Sequence, residues 1–257
     1  VPSIDVESLK KLLGPNTIWR QIKAVTTISS TNAVMVSQAK ETPHGAVLFA
    51  DHQLCGRGRF DRSWEDHPGD GLATSVLLRP RRAVNDWGWL PLLVGMAVKE
   101  GIADLAGENR SQVTLKWPND VLIEGRKVCG ILCKIASDAV IAGWGINVLS
   151  WPAGLPEGKA TCLAQAGITA TTTEVAAKIL THLGQLYRLW DSGHDLRQAY
   201  LADCDTIGRR VRIMTAVEDP QACVEAVALG VNDNGGLIVE TAFGNQVYSA
   251  GDVVHLR

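Results

Sequence analysis

Between two apolar runs at residues 45–51 and 72–78 stands Gly56-Arg57-Gly58-Arg59-Phe60-Asp61-Arg62-Ser63-Trp64, three arginines and two glycines in seven residues, then a tryptophan. The flanking runs read as buried strands, so the basic stretch bridges two elements of one sheet. At about twenty residues the connection exceeds the usual length, which favours a functional lid. Arginine grips carboxylate and phosphate at two points. Glycine lets backbone approach a ligand, and tryptophan stacks on a flat base or caps an apolar slot. Two readings stand at this point: a basic lid over an anionic ligand, or a solvated surface loop.

Composition narrows what the rest can be. A chain of 257 residues, 46% hydrophobic and 20% charged, can build one large domain and a small one. The net charge of −2 leaves no general footprint for nucleic acid, so anion binding must be local. No apolar run approaches the roughly 20 residues that span a bilayer. The opening Val1-Pro2-Ser3-Ile4-Asp5 lacks a signal-peptide layout. Cysteines at 55, 129, 133, 162, 204 and 223 form no paired framework, which suits reduced thiols and a cytoplasmic setting. Cys129 and Cys133 lack a second pair or a neighbouring His and read as core thiols.

Along the chain, residues 4–13 read as a helix and 17–28 as a strand. Ser29-Ser30-Thr31-Asn32 supplies N-cap chemistry for a helix over 32–41, stopped by Pro43; the same groups suit a neutral polar ligand. Helical spacing returns over 87–105. Over 113–123 two strands flank a Pro-Asn-Asp turn that gathers Lys116, Asn119 and Asp120, either as a decorated hairpin or as a site. Strands follow at 128–133 and 139–148, with Gly130, Gly143 and Gly145 inside them; close approach of a flat ligand or bulges would explain these. Residues 150–161 are irregular, and helices are expected over 173–190, capped by Thr172 or Thr173, and over 194–203. Short strands then run at 209–215, 222–229, 236–242 and 246–256, with Asn234-Gly235 a hairpin signal. The expected fold is α+β: a mixed sheet flanked by helices in residues 1–205, and a small β-barrel in 206–257.

No P-loop, HExxH helix or nucleophile elbow is present. Several cations, one carboxylate and strand glycines suit phosphate chemistry on an acid substrate, where cations lower the repulsion between two anions. Asp120 could hold Mg²⁺ together with substrate phosphates.

Five motifs in register then carry a resemblance over essentially the whole chain. Ser30-Thr31-Asn32, Gln53 with Gly-Arg-Gly-Arg-x-x-Arg-x-Trp, Lys-Trp-Pro-Asn-Asp, Arg126-Lys127-x-x-Gly130-Ile-Leu132 and Gly143-x-Gly145-Ile-Asn147 together resemble the biotin protein ligases. The ending Ser-Ala-Gly-Asp-Val-Val is similar to actinobacterial members. The resemblance implies a class II aminoacyl-tRNA synthetase-like catalytic fold with an SH3-like C-terminal barrel. It implies that biotin and ATP, with Mg²⁺, give biotinyl-5′-AMP, from which a lysine of the biotin carboxyl carrier domain of acyl-CoA carboxylases takes biotin. Ser30, Thr31, Asn32 and Gln53 would hold biotin, with Leu132 nearby and Gly130, Gly143 and Gly145 beneath its flat ring. Arg57, Gly58 and Arg59 would wrap carboxylate and phosphate, and Lys127 would bridge the two. Arg59, Arg62, Trp64, Lys116, Asn119 and Asn147 would bind ATP, and Asp120 the metal. The short opening implies the monofunctional class without DNA binding, as a monomer or weak homodimer.

Three departures stand out: Asp61 where the family has glycine, Lys134 where it has glutamate, and Trp144 between the paired glycines. Asp61 would pair with Arg59 or Arg62 or bend the backbone. Strand alternation points Trp144 into the core, and a bulge would turn it into the pocket. These departures motivate an alternative, a non-catalytic biotin or biotinyl-adenylate binder. A lipoate-type ligase shares Lys127-like chemistry but lacks the arginine signature.

Overall fold

A computed structural model of the chain describes residues 2–64, 67–151, 158–214 and 223–256, with backbone alone at Asp61. Helix α1 (Val6–Leu13) starts on Asp5, whose carboxylate accepts from the Glu7 and Ser8 amides. Strand β1 (Gln21–Ile28) leads to the short helix α2 (Thr31–Ser37) and to β2 (Ala46–Gln53). The basic stretch folds into a miniature hairpin, β3 (Gly56–Arg57) and β4 (Ser63–Trp64), around one 3₁₀ turn, Arg59–Asp61. Then come β5 (Gly71–Leu78), α3 (Leu90–Ala106), β6 (Val113–Lys116), β7 (Asp120–Ile123), β8 (Arg126–Ala136) and β9 (Ala139–Asn147). Helices α4 (Thr172–Asp191) and α5 (Arg197–Asp203) precede β10 (Arg210–Met214), β11 (Cys223–Val231), β12 (Leu237–Thr241), β13 (Gly244–Tyr248) and β14 (Asp252–His255).

The main sheet has seven strands in the order β1-β2-β5-β9-β8-β7-β6, with only β1 and β2 parallel. Period-two alternation splits its side chains between two cores. Val47, Phe49, Val76, Leu78, Ala142 and Trp144 join the large core under α3 and α4. Ala46, Leu48, Leu77 and Ile141 join a small one under Met35 of α2. The mixed sheet flanked by helices is therefore as expected.

Several expectations are corrected. Helix α2 stops at Ser37: the Ala39 amide reaches back only to the Val36 carbonyl, at 3.3 Å, and in the turn that follows the Ala39 and Thr42 carbonyls accept from the Arg79 guanidinium at 2.7 and 2.8 Å. The cap of α4 is Thr171, in a reciprocal capping box with Glu174. The final run divides into β13 and β14, interrupted near Gly251. The C-terminal strands form an open sheet, β13-β12-β11-β10-β14, and not a closed barrel. Its end strands β13 and β14 do not pair: β14 lies against β10, and β13 pairs with β12 alone and is exposed over most of its length. The irregular 150–161 stretch lies partly outside the described residues, as does the start of the 222–229 run.

The C-terminal sheet sits against the rest through shared core, since Val211, Ile213, Leu237 and Val239 belong to the large apolar cluster. Polar ties converge on Trp117: its amide donates to Thr206 Oγ1 at 3.1 Å and its indole to the Gly235 carbonyl at 3.0 Å.

Candidate active site

Strand register lays a floor of small residues across the sheet. Ser75, Gly143 and Leu132 stand in one row, and Ala73, Gly145, Gly130 and Asp120 in the next. The register runs unbroken through Gly143 and Gly145, so these glycines mark no bulge. They mark close approach. A Cβ on Gly143 would lie 2.4 Å from Asn32 Oδ1, and one on Gly145 2.6 Å from the Trp64 indole. The surface above the glycine strip is thus met by two protein side chains, Asn32 and Trp64. Over this floor α2, the arginine hairpin, the 116–120 turn and β14 enclose a cavity of about 600 Å³, a size suited to a small ligand.

One end of the cavity is polar and neutral. Ser30 caps α2, its hydroxyl accepting from the Ala33 amide at 3.4 Å. Gln53 Oε1 accepts from the Thr31 amide at 2.9 Å and from its hydroxyl at 3.2 Å. Asn32 Nδ2 donates to the Leu132 carbonyl at 2.9 Å, which fixes the amide's orientation. Ser75 Oγ stands 2.8 Å from both Thr31 Oγ1 and Asn32 Oδ1, and its single proton serves one of them at a time. The result is a preorganised set of donors and acceptors with no net charge.

The other end is cationic: Arg57, Arg59, Arg62, Lys116 and Lys127 line the cavity against the carboxylates of Asp120 and Asp252. Lys127 Nζ lies 2.7 Å from Asp120 Oδ1 and 5.8 Å from the Trp64 ring centre. Asp120 Oδ1 is buried and accepts no hydrogen bond of regular geometry, so its charge is offset by the Lys127 ammonium and by the nearby Arg59 and Lys116 cations. Arg59 donates to the Gly251 carbonyl at 3.1 Å and reaches Asn119 Oδ1 at 3.4 Å, while Asn119 Nδ2 holds the Ile131 carbonyl at 3.0 Å. Burial lowers the pKa of Arg59 and of Lys116, with Asp120 and Asp252 pulling both the other way. Between the arginines, Phe60 holds a left-handed backbone (φ 56, ψ 39), its ring 5.0 Å from the Arg59 guanidinium and 5.9 Å from that of Arg62. Asn147 is buried, its amide pinned to the Thr161 carbonyl at 3.0 Å.

Every residue nominated from the sequence, from Ser30 to Asn147, lies on this one cavity. Sequence reasoning missed Ser75, hidden inside an apolar run, and Asp252, assigned to a separate module. Of the departures, the Trp144 ring is buried in the large core and Lys134 is exposed on β8 away from the cavity lining. The Asp61 side chain lies outside the described residues. Burial raises the thiols of Cys129 and Cys133, the latter to about 12. No cluster of three or more His, Cys, Asp or Glu exists among the described residues. The carboxylate of Asp120 in the cavity fits an ion held mostly by phosphate oxygens and water.

A mixed sheet carrying a neutral recognition end, a central lysine and an arginine lid defines a protein that joins a small acid to a phosphate. Residues 24–147 match the Biotin/lipoate A/B protein ligase family, and residues 206–256 match the Biotin protein ligase C terminal domain. The chain belongs to the biotin protein ligase family. It is 36% identical to the biotin–[acetyl-CoA-carboxylase] ligase of Mycobacterium tuberculosis, over 100% of this chain and 97% of that one. It is 30% identical to the ligase of the same name from Paracoccus denitrificans, over 87% and 96%. The biotin protein ligase of Aquifex aeolicus, solved in complex with biotin and ATP, superposes with a TM-score of 0.76 at 26% identity, covering 93% of this chain and 100% of that one. No helix among the described residues is long and apolar enough to cross a membrane.

Proposed function

We propose that this chain activates biotin with ATP and transfers it to a lysine of the biotin carboxyl carrier domain of an acyl-CoA carboxylase, in the cytoplasm. A biotin carboxylate oxygen attacks the α-phosphorus, the bond to the β-phosphate oxygen breaks, and pyrophosphate leaves. The acceptor amine then attacks the acyl carbon, the bond to the AMP oxygen breaks, and an amide forms with loss of a proton. The observation that carries this reading is that the Lys127 ammonium, paired with Asp120 and lying against Gly130 of the cavity floor, lines the same cavity as the neutral end and the arginines. That ammonium can leave Asp120 for the carboxylate and α-phosphate together, lowering their repulsion and stabilising charge at phosphorus.

The other roles follow from position. Thr31, Asn32, Gln53 and Ser75 pair with the polar head of biotin, and Ser30 sets the helix start that presents them. Arg57 and Arg59 close over the carboxylate and α-phosphate, while Arg62 and Lys116 face the remaining phosphates. Asn119 holds Arg59 in place, and Asn147 fixes the end of β9. Trp64 covers the glycine strip and excludes water. Magnesium would enter with the nucleotide, neutralising phosphate charge, with Asp120 holding it. We assign residues 1–205 to the catalytic unit and 206–257 to a second unit that completes its wall.

The test is biotin incorporation into a purified carrier domain by the purified chain, followed by mass spectrometry of the acceptor lysine. One biotin per carrier, dependent on ATP, is expected. Biotin bound by the chain with none transferred would replace this reading with that of a binder.

A further inference from the structure

The wall supplied by the C-terminal sheet carries one carboxylate, Asp252, 24% exposed and ion-paired with Arg62. Its neighbour Gly251 gives its carbonyl to Arg59 Nη1 at 3.1 Å. Gly251 has φ +148, and a Cβ there would press on Ile213 and the Met214 carbonyl at 3.0 and 3.2 Å, so glycine suits this turn. At the far end of β14, His255 Nε2 lies 3.0 Å from Thr206 Oγ1, the hydroxyl that also receives the Trp117 amide. The strand is therefore tied at one end to the arginine hairpin and at the other to the 116–120 turn. Those two segments supply Arg59, Arg62 and Lys116.

We propose that Asp252 is a positioning residue for the arginine hairpin: it holds Arg62, and beside Gly251 it keeps Arg59, at the phosphate end of the cavity. The inference rests on the proposed function for what the arginines bind, and on the ion pair alone for where they stand. The Arg62 side chain is 62% exposed and without Asp252 would sample many rotamers. A smaller binding-competent fraction raises the ligand concentration needed. Asp252 also competes with phosphate for the same guanidinium. Preorganisation and competition predict opposite signs, so measurement separates them.

The experiment measures biotin-dependent exchange of pyrophosphate into ATP for the full chain and its Asp252→Asn variant, alike in shape but uncharged. The expected result is a KM for ATP raised about twofold to fivefold, as for a largely exposed ion pair, and a KM for biotin changed less than twofold. Asp252→Glu should stay near the parent, and in an Arg62→Ala background Asp252→Asn should have a smaller effect than in the parent, since only its influence on Arg59 then remains. A KM for ATP that is unchanged or lowered overturns the proposal. Limited trypsin digestion without ligands supplies a readout independent of activity. Cleavage after Arg57, Arg59 or Arg62, as a ratio to cleavage elsewhere, should rise severalfold in Asp252→Asn; an equal ratio overturns the proposal. A parent chain that shows no exchange would sink the functional reading alone, leaving the digestion to decide the positioning claim.

Discussion

A lysine 2.7 Å from a buried carboxylate is oriented before any ligand arrives, and the same holds for Asn32, fixed between Leu132 and Ser75. Such preorganisation makes small residues beneath these side chains indispensable. Gly143→Ala would place a methyl 2.4 Å from Asn32 Oδ1 and push that amide off the Leu132 carbonyl. Overpacking of this kind costs about 1–3 kcal/mol. Calorimetry should therefore show biotin binding weakened about tenfold or more with the fold retained; unchanged affinity would mean that Asn32 does not touch biotin. At this scale the sequence was most informative where chemistry is dense. Arg57, Arg59, Lys116 and Lys127 are polar residues beside strands and call for a reason. Ser75 gave no such signal, because one hydroxyl in a run of strand-forming residues has the same propensity whichever face it points to.

Helices and strands were legible where the apolar period was strong and less so where tertiary contacts set the ends. The runs 45–51 and 72–78 became β2 and β5, and the basic stretch between them folds into a small hairpin that the sequence pattern did not announce. Its turn holds Phe60 at positive φ between two guanidinium groups, a conformation no propensity favours. Helix α2 was overextended because the chain turns after Ser37, and Arg79, distant in sequence, holds that turn through the Ala39 and Thr42 carbonyls. The cap of α4 fell one residue earlier than expected, on Thr171, whose hydroxyl receives the Glu174 amide at 3.2 Å while its own amide donates to Glu174 Oε2 at 2.8 Å. Replacing Thr171 with Ala should cost about 1 kcal/mol and lower the melting temperature by about 2–4 °C in a chain of this size. Scanning calorimetry that found no shift would contradict the capping box.

The whole molecule is two sheets sharing one apolar cluster, and the cavity is completed only where they meet. Reading the last fifty residues as a barrel hid this, since pairing between distant strands leaves no local trace. One titration reports on the junction. His255 is pushed down to about 4, first by burial and then by Lys116 and Arg209, with Asp205 opposing. In the unfolded chain its pKa is about 6.5, so between those values the unfolded state binds more protons. Stability is then fully present above about pH 6.5 and falls as pH drops towards 4. His255→Gln, which stays neutral and can still bond Thr206, should flatten that fall in a series of melting temperatures; parallel curves for parent and variant would contradict it. Lys127, on the cavity that holds both the neutral and the cationic ends, would drive the joining of an acid to a phosphate. Its most direct test is biotin-dependent exchange of labelled pyrophosphate into ATP by the full chain and by Lys127→Ala. Exchange in the parent should require biotin and should fall about a hundredfold or more in the variant. Exchange that survives the loss of Lys127 undiminished would contradict it.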